Sequence, residues 1–302
     1  MPTVLMFPGQ GAQAVGMGVA LLARSAAAVE LFAEASQILG FDLRKLCAEG
    51  PAEQLSRTEF SQPALFVHAF AALKHFEQER TDLWSKVVGV AGLSLGEYTA
   101  VAAAGGISFA DGVRLVQQRG LAMQAAADAV PSSMSSVLGI ERAKLDEICK
   151  SVSSNDSFVQ IANLLCPGNI AISGHTAAVE AAEAACIAAG AMKTVRLLVA
   201  GAFHTAIMQP AVARLQAALA DVQFLPMRVP VYSNVDGLPH TESQEIRDLL
   251  CRQVVATVQW ESTLRNFIAA GVDQFVKIGA GRVLAGTLKR VDRKANCENV
   301  SD

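Results

Sequence analysis

Short apolar runs alternate with stretches of helical periodicity along most of the chain, and that alternation predicts an α/β protein built on a mainly parallel sheet. Two compositional observations support the class. Hydrophobic residues make up 52% of the 302 residues against 18% charged, enough to bury a large core and too apolar for disorder. The longest uncharged apolar runs, such as 87–93 and 197–203, are strand-sized and far short of a membrane span. The length favours one large domain carrying a smaller one.

Taken in order, Val4-Leu5-Met6-Phe7 reads as a buried strand, broken by Gly9-Gln10-Gly11 into a loop. Met1-Pro2-Thr3 runs straight into that strand, so no signal or transit segment is expected within the chain. Helical periodicity covers 26–39 and 62–77. A second strand spans 86–93, apolar after Lys86, and helices follow over 96–104 and 109–126. Between 130 and 200 the pattern becomes β–α–β–β–α–β, with strands over 134–140, 158–163, 169–173 and 193–197 and helices over 144–151 and 176–189. That order predicts a ferredoxin-like small domain at 130–200, inserted into a large domain formed by 1–129 and 201–302. The large domain continues with a helix over 206–220, a strand at 229–233, helices over 245–254 and 257–269, a strand at 273–278 and a helix over 283–290. The tail from 296 is expected to fray. No internal repeat or low-complexity linker is evident.

The balance of 25 basic and 28 acidic residues, net −3, carries no electrostatic footprint for nucleic acid. Six cysteines, at 47, 149, 166, 186, 251 and 297, form no C-x-x-C pair, and five dispersed histidines offer no metal-ligand spacing. Reduced core thiols in an intracellular compartment are expected, with no metal site.

Gly92-Leu93-Ser94-Leu95-Gly96 matches G-x-S-x-G. The pattern is common by chance and fits an ordinary Gly-rich loop. Here, however, a strand stops at the serine and a helix starts right after it, the setting a nucleophile elbow requires and the reason to read the large domain as α/β-hydrolase-like. Ser94 is then a candidate nucleophile, and the Leu95 N–H lies at a helix N-terminus where an oxyanion can be stabilised. A serine nucleophile needs a base. His68 and His75 sit in a helical stretch, His175 opens a helix and His240 lies in a polar loop. His204, after the small-residue turn Ala200-Gly201-Ala202-Phe203 and before a helix, is best placed to face a cleft between domains. Arg119 lies in an apolar helix, where it either pairs with a surface carboxylate or clamps a substrate carboxylate.

Together these motifs resemble the acyltransferase family of fatty acid and polyketide synthesis, within it the malonyl-CoA:acyl carrier protein transacylases. Phe7-Pro8-Gly9-Gln10-Gly11, Gly92-Leu93-Ser94-Leu95-Gly96-Glu97-Tyr98, Gln118-Arg119-Gly120 and Gly201-Ala202-Phe203-His204 carry the likeness. Ala162-Asn163 with Pro167-Gly168, Ser233-Asn234-Val235, Arg252-Gln253 and Ile278-Gly279 extend it across nearly the whole chain. The resemblance implies ping-pong malonyl transfer through a malonyl-serine at Ser94, with His204 as base and Gln253 orienting it through a backbone carbonyl. Backbone N–H groups of Leu95 and Gln10 would form the oxyanion hole. Arg119 would hold the malonyl carboxylate, with Phe203 and Asn163 in the acyl site and Phe203 disfavouring branched extenders. No cofactor is implied, the coenzyme A thioester being the substrate. Leu93 and Leu165 depart from residues common in the family, His and Asn respectively.

The implied partners are malonyl-CoA and holo acyl carrier protein. An acidic carrier would favour docking near the basic cluster of Arg282, Lys289 and Arg290, with Arg293 and Lys294 beside it. A monomer in the cytoplasm, or in an organelle stroma or matrix, is expected. Type II fatty acid synthesis is the favoured pathway, a polyketide synthase served in trans the alternative. From a different class, a serine acyl-hydrolase is disfavoured. Asp111, Asp128, Asp146 and Asp156 have no setting as its acid, and a simple esterase has no evident use for Arg119.

Overall fold

The computed structural model describes residues 1–301. Its first strand, β1 (Thr3–Phe7), is buried along its whole length. Four short or capped helices follow. They are α1 (Val19–Arg24), α2 (Ala26–Leu39), α3 (Leu43–Glu49) and α4 (Ala52–Ser56). The Ser25 and Asp42 side chains accept from the Ala28 and Lys45 N–H groups and so start α2 and α3. The long α5 (Thr58–Glu79) is buried on nearly every side of its first four turns. Then come α6 (Leu83–Lys86), β2 (Val87–Gly92), α7 (Leu95–Ala103) and α8 (Phe109–Asp128), the last capped by Ser108.

From 132 the expected β–α–β–β–α–β order appears as β3 (Ser132–Leu138), α9 (Arg142–Ser151), β4 (Val159–Cys166), β5 (Asn169–His175), α10 (Thr176–Ala188) and β6 (Lys193–Arg196). These strands form a four-stranded antiparallel sheet in the order β4-β5-β3-β6. The chain then returns through α11 (Gln209–Ala220), β7 (Val231–Tyr232), β8 (Pro239–His240), α12 (Ser243–Gln253), α13 (Trp260–Ala269), β9 (Gln274–Ile278), α14 (Val283–Val291) and β10 (Asn296–Val300). The large sheet has the order β10-β9-β1-β2-β7-β8 and is parallel except for the β7–β8 pair.

Side-chain alternation on β1 serves both faces of this sheet. Leu5 and Phe7 join the core under α5, α7 and α8, while Val4 and Met6 join Trp260, Leu264 and Phe275 on the other side. Because Phe7 is in register with Gly92, the loops leaving β1 and β2 emerge side by side at the carboxyl edge, where open α/β sheets place their ligands.

Several expectations need correction. The tail does not fray: Asn296–Val300 pairs in parallel with β9, its polar alternation suiting a half-exposed edge strand. The helix expected from 257 begins at Trp260, because Val258 N–H donates to the Ala162 carbonyl and Leu164 N–H to the Val258 carbonyl, tying this segment to β4. The helix expected from 206 opens as a 3-10 turn over Ala206–Met208. Helices α1, α3, α4 and α6 are too short to show periodicity. All six cysteines are free thiols, four of them buried, and burial pushes the Cys149 thiol up to about 12. Among the described residues no helix is long and apolar enough to cross a membrane, and no His, Cys, Asp or Glu cluster could hold a metal ion.

Candidate active site

Ser94 occupies the turn between β2 and α7 with φ 51° and ψ −104°, a conformation that non-glycine residues adopt only under constraint. The flanking glycines are required by space. A Cβ on Gly92 would lie 1.9 Å from the Gly96 carbonyl carbon, and one on Gly96 would lie 2.2 Å from the Phe7 carbonyl oxygen. The turn thereby presents Oγ at the sheet edge, 2.9 Å from His204 Nε2 and 3.0 Å from Arg119 Nη2.

His204 is buried and also at positive φ, 61°. Its Nδ1 lies 2.9 Å from the Gln253 carbonyl oxygen. A carbonyl only accepts, so Nδ1 carries the proton and Nε2 offers its lone pair to the Ser94 hydroxyl. Burial and the nearby Arg119 charge hold His204 down at about 4, so the imidazole is neutral at ordinary pH and able to take a proton. The other histidines lie elsewhere. His240 faces Asp236 and Glu245, His75 faces Glu79, and His175 Nδ1 accepts from the Phe158 N–H. Asp111 pairs with Arg114 and Ser108, Asp146 with Lys150, and Asp128 accepts from Gln124.

Arg119 is 1% exposed. Its Nη1 donates to Gln62 Oε1 at 2.8 Å and its Nη2 to Gln253 Oε1 at 2.8 Å, and its guanidinium sits 5.1 Å from the Tyr98 ring centroid. These acceptors are all neutral, and Nε is buried without a partner. Burial lowers its affinity for the proton. A desolvated guanidinium with spare donor capacity beside a serine is a ready receptor for a carboxylate.

Gln253 links the parts. Beyond its carbonyl on His204 and its Oε1 on Arg119, its Nε2 donates to the Ser94 carbonyl at 3.0 Å and to Glu97 Oε2 at 2.6 Å. Glu97 is fully buried, and desolvation pushes it up to about 7 despite the bonds it accepts from Gln253 and Asn234. Asn234 donates to the Gly92 carbonyl and accepts from the Ser94 N–H. Gly96 N–H is taken by the Leu93 carbonyl and Glu97 N–H by the Ser94 carbonyl. The donor of this turn left for an oxyanion is Leu95 N–H.

The loop carrying Gln10 presses against the elbow: a Cβ on Gly9 would lie 2.3 Å from the Leu93 carbonyl oxygen. Gln10 Nε2 is buried without a partner. Phe203 is buried next to His204 in the large core. Asn163, in β4, bridges to Val258 and has a buried Oδ1 without a partner, while Gln160 of the same strand donates to the His204 carbonyl at 3.4 Å. Arg282, Lys289 and Arg290 are exposed at the ends of α14, away from this cluster in sequence and exposed to solvent.

Glu97, Asn234, Gln62 and Tyr98 have no role in the sequence reading. Glu97, Tyr98 and Asn234 stand inside the motifs quoted for the resemblance. Gln62 has only the weak signal of a polar residue in an otherwise apolar helix.

The acyl transferase domain family matches residues 4–301. The malonyl CoA-acyl carrier protein transacylase of Salmonella typhimurium is 41% identical over 286 residues, covering 95% of this chain and 91% of the relative. The solved acyl-carrier-protein S-malonyltransferase from Bartonella henselae superposes with a TM-score of 0.96 at 38% identity, covering 100% of this chain and 96% of the other. A malonyl-transacylase solved in complex with a type II polyketide synthase acyl carrier protein gives 0.94 at 37% identity, with 100% and 96% coverage.

Proposed function

This chain belongs to the acyl transferase domain family, and from that premise we propose how its residues perform its reaction, the transfer of a malonyl group from coenzyme A to acyl carrier protein. The observation that carries the mechanism is the double contact of Ser94 Oγ, with a neutral imidazole on one side and a buried guanidinium on the other. His204 Nε2 takes the hydroxyl proton as Ser94 attacks the thioester carbonyl. Leu95 N–H and Gln10 N–H stabilise the oxyanion. Collapse of the tetrahedral intermediate breaks the C–S bond, and His204 returns the proton to the departing thiol. The carrier's phosphopantetheine thiol repeats the sequence on the malonyl-serine in reverse.

Arg119 receives the malonyl carboxylate. Its charge is one of the two causes that keep His204 weakly basic, so pairing with a carboxylate removes part of that penalty. A malonyl group thus strengthens the base that activates Ser94 against it, whereas an acetyl group leaves the cation unpaired. Phe203 crowds an α-methyl, worth about 1–3 kcal/mol against branched extenders, and Asn163 contributes a polar group from the small sheet. The side chains account for the transfer with the thioester as substrate and no separate cofactor. The backbone carbonyl of Gln253 on His204, where a hydrolase of this type carries an acid, and the waiting Arg119 both disfavour the acyl-hydrolase reading.

The organisation is read as a ferredoxin-like unit at 130–200 inserted into an α/β-hydrolase-like domain of 1–129 and 201–302, a reading supported by the strand order β4-β5-β3-β6. The protein works as a cytoplasmic monomer in type II fatty acid synthesis. The carrier docks near Arg282, Lys289 and Arg290. Lys289 is partly committed to the Arg293 and Ala295 carbonyls, so Arg290 and Arg282 carry more of the attraction. Reversing the charge of Lys289 and Arg290 raises the carrier KM severalfold and leaves the malonyl-CoA KM alone. An unchanged carrier KM removes the docking site.

Intact-protein mass spectrometry tests the mechanism. Mixing with malonyl-CoA adds one malonyl group at Ser94, which discharges onto holo carrier when that is supplied, and Ser94→Ala takes up none. Labelling at another residue rejects Ser94, and discharge to free malonate with the carrier ignored establishes a hydrolase.

A further inference from the structure

Asn234 lies just beyond β7, fully buried, 140 positions from the serine it touches. Its carboxamide straddles the nucleophile turn: Nδ2 donates to the Gly92 carbonyl at 2.7 Å and Oδ1 accepts from the Ser94 N–H at 2.6 Å. Its own backbone N–H donates to Glu97 Oε2 at 3.0 Å, the oxygen that also accepts from Gln253 Nε2. A serine at φ 51°, ψ −104° is held there only by surroundings that over-determine it. The two bonds from one carboxamide, to the peptide groups on either side of Leu93 that lead directly into Ser94, are such a constraint.

We propose that Asn234 is a positioning residue for the transfer reaction. By bonding the Gly92 carbonyl and the Ser94 N–H from a single carboxamide, it holds the turn that aims Oγ at His204 and leaves Leu95 N–H as the turn's oxyanion donor. The proposal rests on Ser94 being the nucleophile, and goes beyond it by assigning what holds that nucleophile in place. Glu97, through the Asn234 N–H, anchors the carboxamide to α7 and to the residue that orients His204.

The chemistry is specific to a side chain with one donor and one acceptor on the same carbon. An ionised aspartate offers only acceptors, so one oxygen would face the Gly92 carbonyl in repulsion. A protonated aspartic acid restores the pattern, with O–H toward Gly92 and C=O toward the Ser94 N–H. At this position a carboxyl would be buried beside the Gly92 carbonyl and Glu97, both raising its affinity for a proton, with the Arg119 charge on α8 opposing and His204 neutral.

The test is the rate of single-turnover acylation by malonyl-CoA for Asn234→Ala and Asn234→Asp, each divided by the wild-type rate at the same pH. Asn234→Ala slows acylation by about 100-fold while the malonyl-CoA KM stays within about twofold, because the Arg119 clamp is not touched. Asn234→Asp is as slow as the alanine variant near pH ~8 and recovers toward wild type as the pH falls to ~5 and the carboxyl takes up its proton. A merely structural residue would lower Tm without this pH-dependent rescue. Wild-type acylation by Asn234→Ala overturns the proposal, as does an Asn234→Asp ratio that is the same at every pH. Should the alanine variant not fold, the near-isosteric aspartate series decides alone. Mapping the adduct in each variant separates a failure of Ser94 as nucleophile from a failure of Asn234.

Discussion

Around the ends of β1 and β2 the chain buries Glu97, Arg119, His204, Asn234 and Gln253 and holds Ser94 and His204 at positive φ. The four-stranded sheet is built the other way. Its core is Val137, Leu145, Ile148, Val159, Ile172 and Val179, and its charges sit at the surface in pairs such as Arg196–Glu183 and Lys150–Asp146. The two regions meet behind the histidine. Gln160 of β4 reaches the His204 carbonyl, Thr257 Oγ1 donates to the Ile161 carbonyl, and the Ala202 N–H donates to Ser132 Oγ. The first region carries desolvated charge and backbone strain, both of which cost stability. The second is an aliphatic layer that contributes stability and a fixed wall. Chemistry and stability are therefore separable by substitution.

The sharpest separation is at Arg119. Arg119→Ala lowers malonyl transfer by about 100- to 4,000-fold, the range for removing one partner of a buried, hydrogen-bonded ion pair. Acetyl transfer persists or rises, since the cation that weakens His204 is gone. Parallel assays with malonyl-CoA and acetyl-CoA decide this, and equal loss of both would dissolve the distinction between clamp and scaffold. In the other region, Ile172→Ala costs about 2–5 kcal/mol of stability, seen in the denaturant midpoint, with kcat per folded molecule unchanged. A matching fall in kcat would mean that the small sheet does more than hold the wall.

The smallest effect is a slope. Burial raises Glu97 from 4.5 to about 7. Between those values the folded state keeps a proton that the unfolded state has released, so the Glu97 contribution to stability is present at low pH and lost as pH rises through the window. Glu97→Gln has no such proton. The Tm of the variant minus that of wild type climbs between pH ~5 and ~7 and levels off above. The opposite slope from His204, whose folded value is lowered to about 4, is common to both proteins and cancels. A flat difference would place Glu97 in a more solvated setting than the buried one described.

The elbow was legible because its signal is local: an apolar strand, two glycines around a serine and a helix start lie within a dozen positions. The same holds for the β–α–β–β–α–β run, whose periodicity changes within short windows. The edge strand at 296–300 was not legible, since a five-residue polar strand takes its conformation from pairing with β9 rather than from its own pattern. Helix α13 starts late for a related reason, its first residues being claimed by β4.

From sequence alone come the α/β class, a candidate nucleophile in its turn, the setting of His204 between a small-residue turn and a helix, and an arginine in an apolar helix. Gln253 is reached from sequence only through the family resemblance, Gln62 not at all, and Glu97 and Asn234 only as motif positions without a role. Their bonds span 57, 156 and 140 positions. Each is a polar side chain whose partner exists only after the sheets, α8 and α12 have packed. Local preferences act over a few residues and can be read there. The orientation of a base, the pairing of a buried cation and the bracing of a strained turn depend on which distant donors and acceptors the packed core brings within about 3 Å, and only the tertiary structure decides that.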